Sequence, residues 1–308
     1  MFTKYNQYES FVMPLVNWLQ DKGVNFEYGK TVTHVNFKGE TLATRFDYEV
    51  RDTNGNVTPG SQSLGPNDLL FITNGSLVDN SDNGDHHTAA KLNTGDSAAW
   101  DLWRSIAIQS PSGKFGNPDV FGARELIPQT KWMSCTVTCN DRRIPHYIEK
   151  VCKRDPYSGK IVTGGIVTVR DSNWLMSWTV NRQPHFKAQT PNQIVAWVYG
   201  LYVDVPGNYV KKTMQECTGK EIVQEWLYHM GVLVAMIEQL STESCTAVPT
   251  MMPYVTALFM PRKKGDRPDV IPEGAVNFAF MGQFAQSKER DCVFTTEYSV
   301  RTAMEVSL

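Results

Sequence analysis

The residues best suited to ligand chemistry follow an apolar run, Trp174 to Val180, and lie close together in the sequence. They are Thr179, Asn181, Arg182, Gln183 and His185. Side chains alternate along a strand, so Thr179 and Asn181 would share one face. A hydroxyl, an amide and an imidazole beyond an apolar run suit a carboxylate at the end of an apolar tunnel. On spacing alone, a hairpin whose polar residues face water is the more common outcome.

The segment that must position these residues runs from Thr163 to Phe186. Gly164-Gly165 permits a sharp turn, and the β-branched run Ile166 to Val169 favours a strand. Asp171-Ser172-Asn173 is typical of a turn. The sequence therefore predicts two strands joined by a turn, with the polar residues after the second strand.

Composition and charge exclude several classes of protein. The chain has 308 residues, of which 41% are hydrophobic and 20% charged, as in ordinary globular proteins. A formal net charge of −2 gives no electrostatic drive toward nucleic acid. No apolar run reaches the roughly 20 residues that span a bilayer, and no signal peptide opens the chain. We expect a cytoplasmic protein, with contact at a membrane surface left open.

The cysteines and histidines indicate neither disulfides nor a metal. Cys135 and Cys139 lie on one predicted strand, about 13 Å apart, which is too far for a disulfide or a shared ion. We expect all six cysteines to be reduced. His86-His87 is interpreted as solvated loop, because adjacent side chains point apart.

The first hundred residues predict a helix followed by a β-meander. The helix begins near Ser10, with Pro14 in its first turn, and stops at Gly23. Asn54-Gly55 indicates a hairpin. The predicted strands are 24–28, 31–37, 41–51, 57–63 and 68–73, the last leading into Asn74-Gly75-Ser76. Flavoproteins with two dinucleotide-binding domains use this order after a first half that carries a G-x-G-x-x-G turn. That turn is absent, so we expect the chain to begin after the first half.

The remainder predicts a β-rich region and then a return to the nucleotide fold. Predicted elements are a helix at 102–108, a β-rich region at 132–186, a strand at 194–205, helices at 222–230 and 232–240, a strand at 276–281 and a helix at 295–304. Thr218 and Glu221 form a capping-box pattern. The fold class is therefore mixed α/β, a partial two-dinucleotide-binding-domain fold with a β-rich substrate region. The predicted domains are 1–100, 101–270 and 271–308.

Six stretches, in order along the chain, resemble the oleate hydratases, a flavoprotein family once called myosin-cross-reactive antigens. They are KYNQYES at 4–10, FITNGS at 71–76, the segment 163–186, ECTGKEIVQEWLYHMGV at 216–232, the long stretch 252–285 and FTTEYSVRTAME at 294–305. The resemblance implies FAD-dependent addition of water to the cis double bond of unsaturated fatty acids, giving 10-hydroxystearate from oleate. It also implies a homodimer for the complete protein.

The resemblance also assigns site residues. The fatty-acid carboxylate would be bound by Gln7, Thr179, Asn181 and His185, the last able to carry a positive charge. FAD would contact Val32, Asn74, Gly75, Ser76, Gly282, Gln283 and Val293. Val32 would flank the adenine.

The family's catalytic residues have no counterpart in this sequence. Its catalytic Glu, in a Gly-Gly-Arg-Glu loop, and its catalytic Tyr would both precede Met1. The tetrad Gly122-Ala123-Arg124-Glu125 resembles that loop but occupies a different place in the family's order. We therefore assign no catalytic residue, and expect residues 1–308 alone not to hydrate oleate and to bind FAD weakly or not at all.

Three functions follow from these observations. The first is part of a fatty-acid hydratase. The second is a module that binds fatty acid without catalysis, either as a fragment or as half of a split hydratase. Less favoured is a flavin oxidoreductase of the amine-oxidase type, which shares the nucleotide fold.

Overall fold

The computed structural model describes residues 3–288 and 295–307, which form two compact units. The first unit comprises Met1–Phe26, Ser81–Asn93 and Trp132–Met252. The second comprises Glu27–Asn80, Thr94–Lys131 and Pro253–Leu308. Both units combine helices with strands, so the predicted mixed α/β class is confirmed. Within the described ranges, no helix has the length and apolar character needed to cross a membrane.

The regular elements are numbered in chain order. The strands are β1 (Lys30–Lys38), β2 (Leu42–Arg51), β3 (Val57–Ser63), β4 (Leu70–Thr73), β5 (Asp82–Asn83), β6 (Trp132–Cys139), β7 (Val167–Thr168), β8 (Ser177–Thr179), β9 (Ile194–Gly200), β10 (Cys245–Met252) and β11 (Phe278–Met281). The helices are α1 (Met13–Asp21), α2 (Ala98–Ala107), α3 (Asp119–Gly122), α4 (Ile127–Thr130), α5 (Arg143–Cys152), α6 (Gly219–His229), α7 (Val234–Glu243) and α8 (Thr296–Ser307).

The first unit is built on an antiparallel sheet of order β5-β10-β6-β9-β8-β7. Every second residue of β6, from Met133 to Cys139, is fully buried in the core that α6 and α7 share with the sheet. Cys139 lies directly opposite Cys245 on β10. The cysteines within the described residues are free, as predicted, and Cys292 lies outside those residues.

Helix α6 begins and ends where the sequence predicts. The Thr218 side chain accepts the Glu221 N–H at 3.3 Å, and the Glu221 carboxylate accepts the Thr218 N–H at 2.9 Å. Together they satisfy two N–H groups that a helix start leaves without partners. Gly231, with φ +76°, stops the helix before α7 begins.

The second unit contains the predicted meander and a parallel strand pair. Strands β1, β2 and β3 form an antiparallel sheet, with Gly55 at φ +85° in the β2–β3 turn. Strand β4 pairs in parallel with β11, Thr73 lying opposite Met281. The loops after both strands therefore leave the same edge of this small sheet.

Several predicted elements are wrong. Residues 24–28 form a loop, because Gly23 and Gly29 both adopt positive φ and turn the chain at either end. Helix α5 and strand β10 were not predicted. Helix α5 buries Ile144 and Ile148, which have helical spacing. In β10, Pro249 interrupts the alternating pattern that would otherwise indicate a strand. Strand β9 ends at Gly200, short of the predicted residue 205.

A buried carboxylate fixes the loop that follows β9. Glu225 of α6 is inaccessible to solvent and accepts the backbone N–H groups of Asn208, Tyr209 and Val210 at 2.7, 2.9 and 2.8 Å. It also lies 3.1 Å from His229 Nε2. Burial raises the pKa of Glu225, but these hydrogen bonds outweigh burial, so its pKa lies below the ordinary value.

We expect Glu225→Gln to lower the free energy of unfolding by about 3 kcal/mol, because it removes the buried charge that these N–H groups surround. The pKa of Glu225 is lowered by folding, so its contribution is present above the ordinary value of 4.5 and is lost as pH falls through the folded pKa. Urea unfolding of the unmodified chain and of Glu225→Gln over a pH series measures the difference in their free energies of unfolding.

The matched control is Glu149→Gln, the same substitution at an exposed position of α5. It should change the free energy of unfolding by less than about 0.5 kcal/mol. Equal losses in the two variants would contradict a special role for Glu225.

Candidate functional site

The polar residues after β8 line a cavity of about 370 Å³ in the first unit. Its described lining is Thr3, Tyr5, Asn6, Gln7, Asn181, Arg182 and His185. Three of the predicted clamp residues, Gln7, Asn181 and His185, therefore meet at one cavity. The resemblance assigned neither Arg182 nor Asn6 to the site, although Arg182 is one of the polar residues that follow the apolar run.

The β8 end follows the alternation expected of a strand. Trp178 and Val180 are buried, whereas Thr179 and Asn181 on the other face are half-buried. Asn181 reaches the cavity, but Thr179 does not line it. The Thr179 hydroxyl lies 2.9 Å from the Thr163 hydroxyl and donates to the Gly165 carbonyl at 3.1 Å. Thr179 thus fixes the turn that precedes β7.

A buried amide positions the loop that carries Asn181 and His185. The Gln183 carbonyl oxygen accepts the Val195 N–H at 3.0 Å, and its amide N–H donates to the Val195 carbonyl at 3.0 Å. The same Gln183 oxygen accepts from Gln189 at 2.8 Å. Gln189 in turn accepts the His185 N–H at 2.6 Å. The polar residue Gln183 is therefore structural and faces the sheet.

The other wall of the cavity is tied to the same loop. The Asn6 N–H and its side-chain amide donate to the His185 carbonyl at 2.8 and 3.0 Å. Glu9 accepts from the Asn6 side chain at 2.8 Å and from the Lys187 N–H at 3.0 Å. These bonds bring Gln7 beside Asn181 across a gap of more than 170 residues in sequence.

Burial lowers the pKa of His185, and the nearby Glu9 carboxylate only partly opposes this effect. This environment favours the neutral imidazole, and the ability of His185 to carry a positive charge stays a prediction. The neutral ring can still donate one hydrogen bond.

A second cavity, of about 410 Å³, lies within the second unit at the ends of β4 and β11. Asn74, Gly75, Ser76, Gly282 and Gln283, all predicted to contact FAD, contribute to its lining. The Asn74 side chain is 2% exposed, and neither its oxygen nor its nitrogen has a hydrogen-bond partner among the described residues. A buried amide of this kind is costly unless a ligand satisfies it.

The two glycines of this cavity are required by geometry. Gly75 has φ +59°, and a Cβ there would lie 3.0 Å from side-chain atoms of Phe284 and Trp100. Gly282 has φ +87°, and its Cβ would lie 3.0 Å from the Thr73 side chain. Both glycines therefore meet the needs of packing and of a positive φ, and both contribute to the cavity lining at the ends of the parallel strands.

Val32 lies apart from these residues, in an apolar cavity of about 250 Å³ lined also by Val35, Phe46 and Leu102. Thr73 lines both cavities. Thr73 is thus a residue at which the two linings meet. Val293, the remaining predicted FAD contact, lies outside the described residues.

The tetrad that resembles a catalytic loop has a structural explanation. A Cβ on Gly122 would lie 2.3 Å from the Trp100 ring, so close packing requires this glycine. Arg124 pairs with Asp96, and Glu125 is exposed at the surface. Within the described ranges, no cluster of three His, Cys, Asp or Glu side chains could hold a metal ion.

Comparison with known proteins gives a consistent result along the chain. A model described as the MCRA family matches residues 1–307. An oleate hydratase from Streptococcus pyogenes serotype M49 (strain NZ131) is 46% identical over 305 residues, which are 99% of this chain and 51% of that protein. A linoleate hydratase from Lactiplantibacillus plantarum is 30% identical over 313 residues, covering 97% of this chain and 54% of that protein. The chain spans about half the length of the curated relatives it matches.

We expect an NMR titration to find the pKa of His185 below the ordinary value of 6.5, because the ring is partly desolvated. Glu9→Gln should lower it further, since the Glu9 charge favours the protonated ring. The resonance is assigned by its loss in His185→Gln. A pKa at or above 6.5, or one that Glu9→Gln leaves unchanged, would contradict this description of the cavity.

Proposed function

The chain belongs to the MCRA family, and on that premise we propose that it binds the carboxylate of a long-chain unsaturated fatty acid within a FAD-dependent hydratase. The observation that carries the proposal is the polar cavity of the first unit. There Gln7, Asn181 and His185 present hydrogen-bonding groups beside Arg182. Thr179 supports the same loop from behind and is assigned a positioning role.

The cavity chemistry suits an ionised acid. A carboxylate offers about four acceptor sites, and the side chains of Gln7, Asn181 and a neutral imidazole each have an N–H to donate. The described lining contains no carboxylate that would repel the ligand. The apolar channel predicted to lead to this cavity stays a prediction.

Hydration adds a proton to one alkene carbon and hydroxide, taken from water, to the other. An acid must deliver the proton and another group must activate the water. The residues of this cavity act at the far end of the substrate. Holding the carboxylate fixes which carbons along the chain reach the reacting groups, which is catalysis by positioning.

The second unit is proposed to hold FAD. The proposal is supported by the Asn74 amide, which has no partner among the described residues, and by Gly75 and Gly282, which line the same cavity. All three residues lie beyond the ends of parallel strands. Ser76 and Gln283 would add polar contacts, and Val32 would flank the adenine. Because the net reaction transfers no electrons, bound FAD would contribute shape and electrostatics. The homodimer and the membrane contact also stay predictions.

One assay tests both the substrate site and the expectation that residues 1–308 alone do not hydrate oleate. This polypeptide is incubated with oleate and FAD under reducing conditions, oleate binding is measured, and hydroxystearate is measured by mass spectrometry against a no-protein control. Binding without product is the expected result for a chain to which no catalytic residue is assigned. Product would show that residues 1–308 are catalytic by themselves, and a folded chain that binds no oleate refutes the substrate site.

We expect Asn181→Ala to raise the Kd for oleate by about tenfold, because a hydrogen bond to a charged group is lost. The control is Asn192→Ala, which removes an exposed amide outside the cavity lining and should leave the Kd unchanged. Calorimetry or displacement of a fluorescent fatty acid measures both. Equal affinities in the two variants would count against the carboxylate site.

We expect Asn74→Leu to raise the free energy of unfolding in the absence of FAD by about 1 kcal/mol, because an unsatisfied buried amide is replaced by an apolar group of similar size. The same change should abolish any thermal stabilisation by FAD. Asn54→Ala, at an exposed hairpin position, serves as the control. A less stable Asn74→Leu protein would show that the amide is satisfied without the cofactor.

A further inference from the structure

Arg182 is a cation for which the described residues offer no hydrogen-bond acceptor. It lines the polar cavity between Asn181 and the Gln183 anchor. Its Nε atom is shielded from solvent and has no hydrogen-bond partner among the described residues. An enclosed donor without an acceptor costs free energy unless a ligand supplies the acceptor.

The Glu9 carboxylate, which is tied to both walls of this cavity, is already engaged. Glu9 accepts from the Asn6 amide and from the Lys187 N–H, and it does not line the cavity. Two lysines add positive charge near this cavity. The Lys4 and Lys187 ammonium groups lie 5.3 and 5.8 Å from the ring centre of Tyr5, which is part of the cavity lining. The surroundings of Arg182 thus favour an anion that comes from outside the chain.

We propose that Arg182 supplies the positive charge that binds the substrate carboxylate, and that it makes the cavity select ionised acids over neutral lipids with the same acyl chain. This inference rests on the proposed function. A guanidinium presents parallel N–H groups that match both oxygens of a carboxylate, and it stays charged at every physiological pH. Gln7, Asn181 and the neutral His185 would then complete the hydrogen bonding to the two oxygens.

Arg182 and His185 contribute different interactions to carboxylate binding. Burial lowers the pKa of His185 and so favours the neutral ring, which contributes a directional donor. Arg182 contributes the charge, and the loop held by Gln183 fixes the position of both residues. Arg182 is thus a specificity-determining residue, and the reacting carbons lie elsewhere.

The test compares oleate with methyl oleate, which carries the same acyl chain without a charge. Binding to the polypeptide of residues 1–308 is measured for the unmodified chain, Arg182→Gln and Arg182→Lys. The control is Arg170→Gln, which removes the same charge from an exposed turn. We expect the unmodified chain to prefer oleate, and Arg182→Gln to raise the Kd for oleate by about tenfold or more while the Kd for methyl oleate stays the same.

Arg182→Lys should keep a preference for oleate, weaker than that of the unmodified chain, because the charge remains and the paired geometry is lost. Arg170→Gln should leave both Kd values unchanged. Equal affinity of the unmodified chain for oleate and methyl oleate overturns the inference even if Arg182→Gln does not fold. Unchanged oleate binding by a folded Arg182→Gln overturns it as well. Failure of the folded, unmodified chain to bind either lipid overturns the proposed function instead.

Discussion

The two-way hydrogen bond between the Gln183 amide and the Val195 backbone is the interaction on which the polar cavity depends. Strand β8 ends at Thr179, and beyond it the chain no longer has a regular partner on β9. The buried Gln183 side chain takes the place of the next strand residue by offering both a donor and an acceptor to Val195. The loop that carries Asn181, Arg182 and His185 is therefore held to the sheet without being part of it.

Both units leave polar groups unsatisfied at the places where a ligand is proposed. In the first unit the group is the Arg182 Nε, and in the second it is the Asn74 amide. Other buried polar groups differ in how they are satisfied. The Glu225 carboxylate has four partners, whereas the Trp132 and Trp226 indole N–H groups and the His86 ring have none among the described residues. An unsatisfied group therefore supports a ligand site only where a cavity lies beside it, as at Arg182 and Asn74.

Local signals in the sequence predicted much of the fold. The capping box at Thr218, the stop at Gly231 and the Asn54-Gly55 hairpin all depend on short-range chemistry, and all three are observed. Strand limits were harder, because β7 and β8 are short and their pairing is set by β9. Helix α5 was missed although Ile144 and Ile148 have helical spacing.

The site was predicted only in part, because the positions of its side chains depend on contacts between distant parts of the chain. Residue types alone could not separate Gln183, which turns inward to Val195, from Asn181, which turns to the cavity. Resemblance brought in Gln7, because no local rule links residues so far apart in sequence. Neither approach revealed that burial lowers the pKa of His185, since that depends on the packed environment of the ring.

The tie between Asn6 and His185 has a practical consequence for handling the molecule. Thr3 lines the polar cavity, so a group attached at this residue lies at the wall of that cavity. A purification tag placed there would compete with ligand for the same space, and a charged tag would alter the local field. A small environment-sensitive dye at position 3 would instead signal occupancy of the cavity directly.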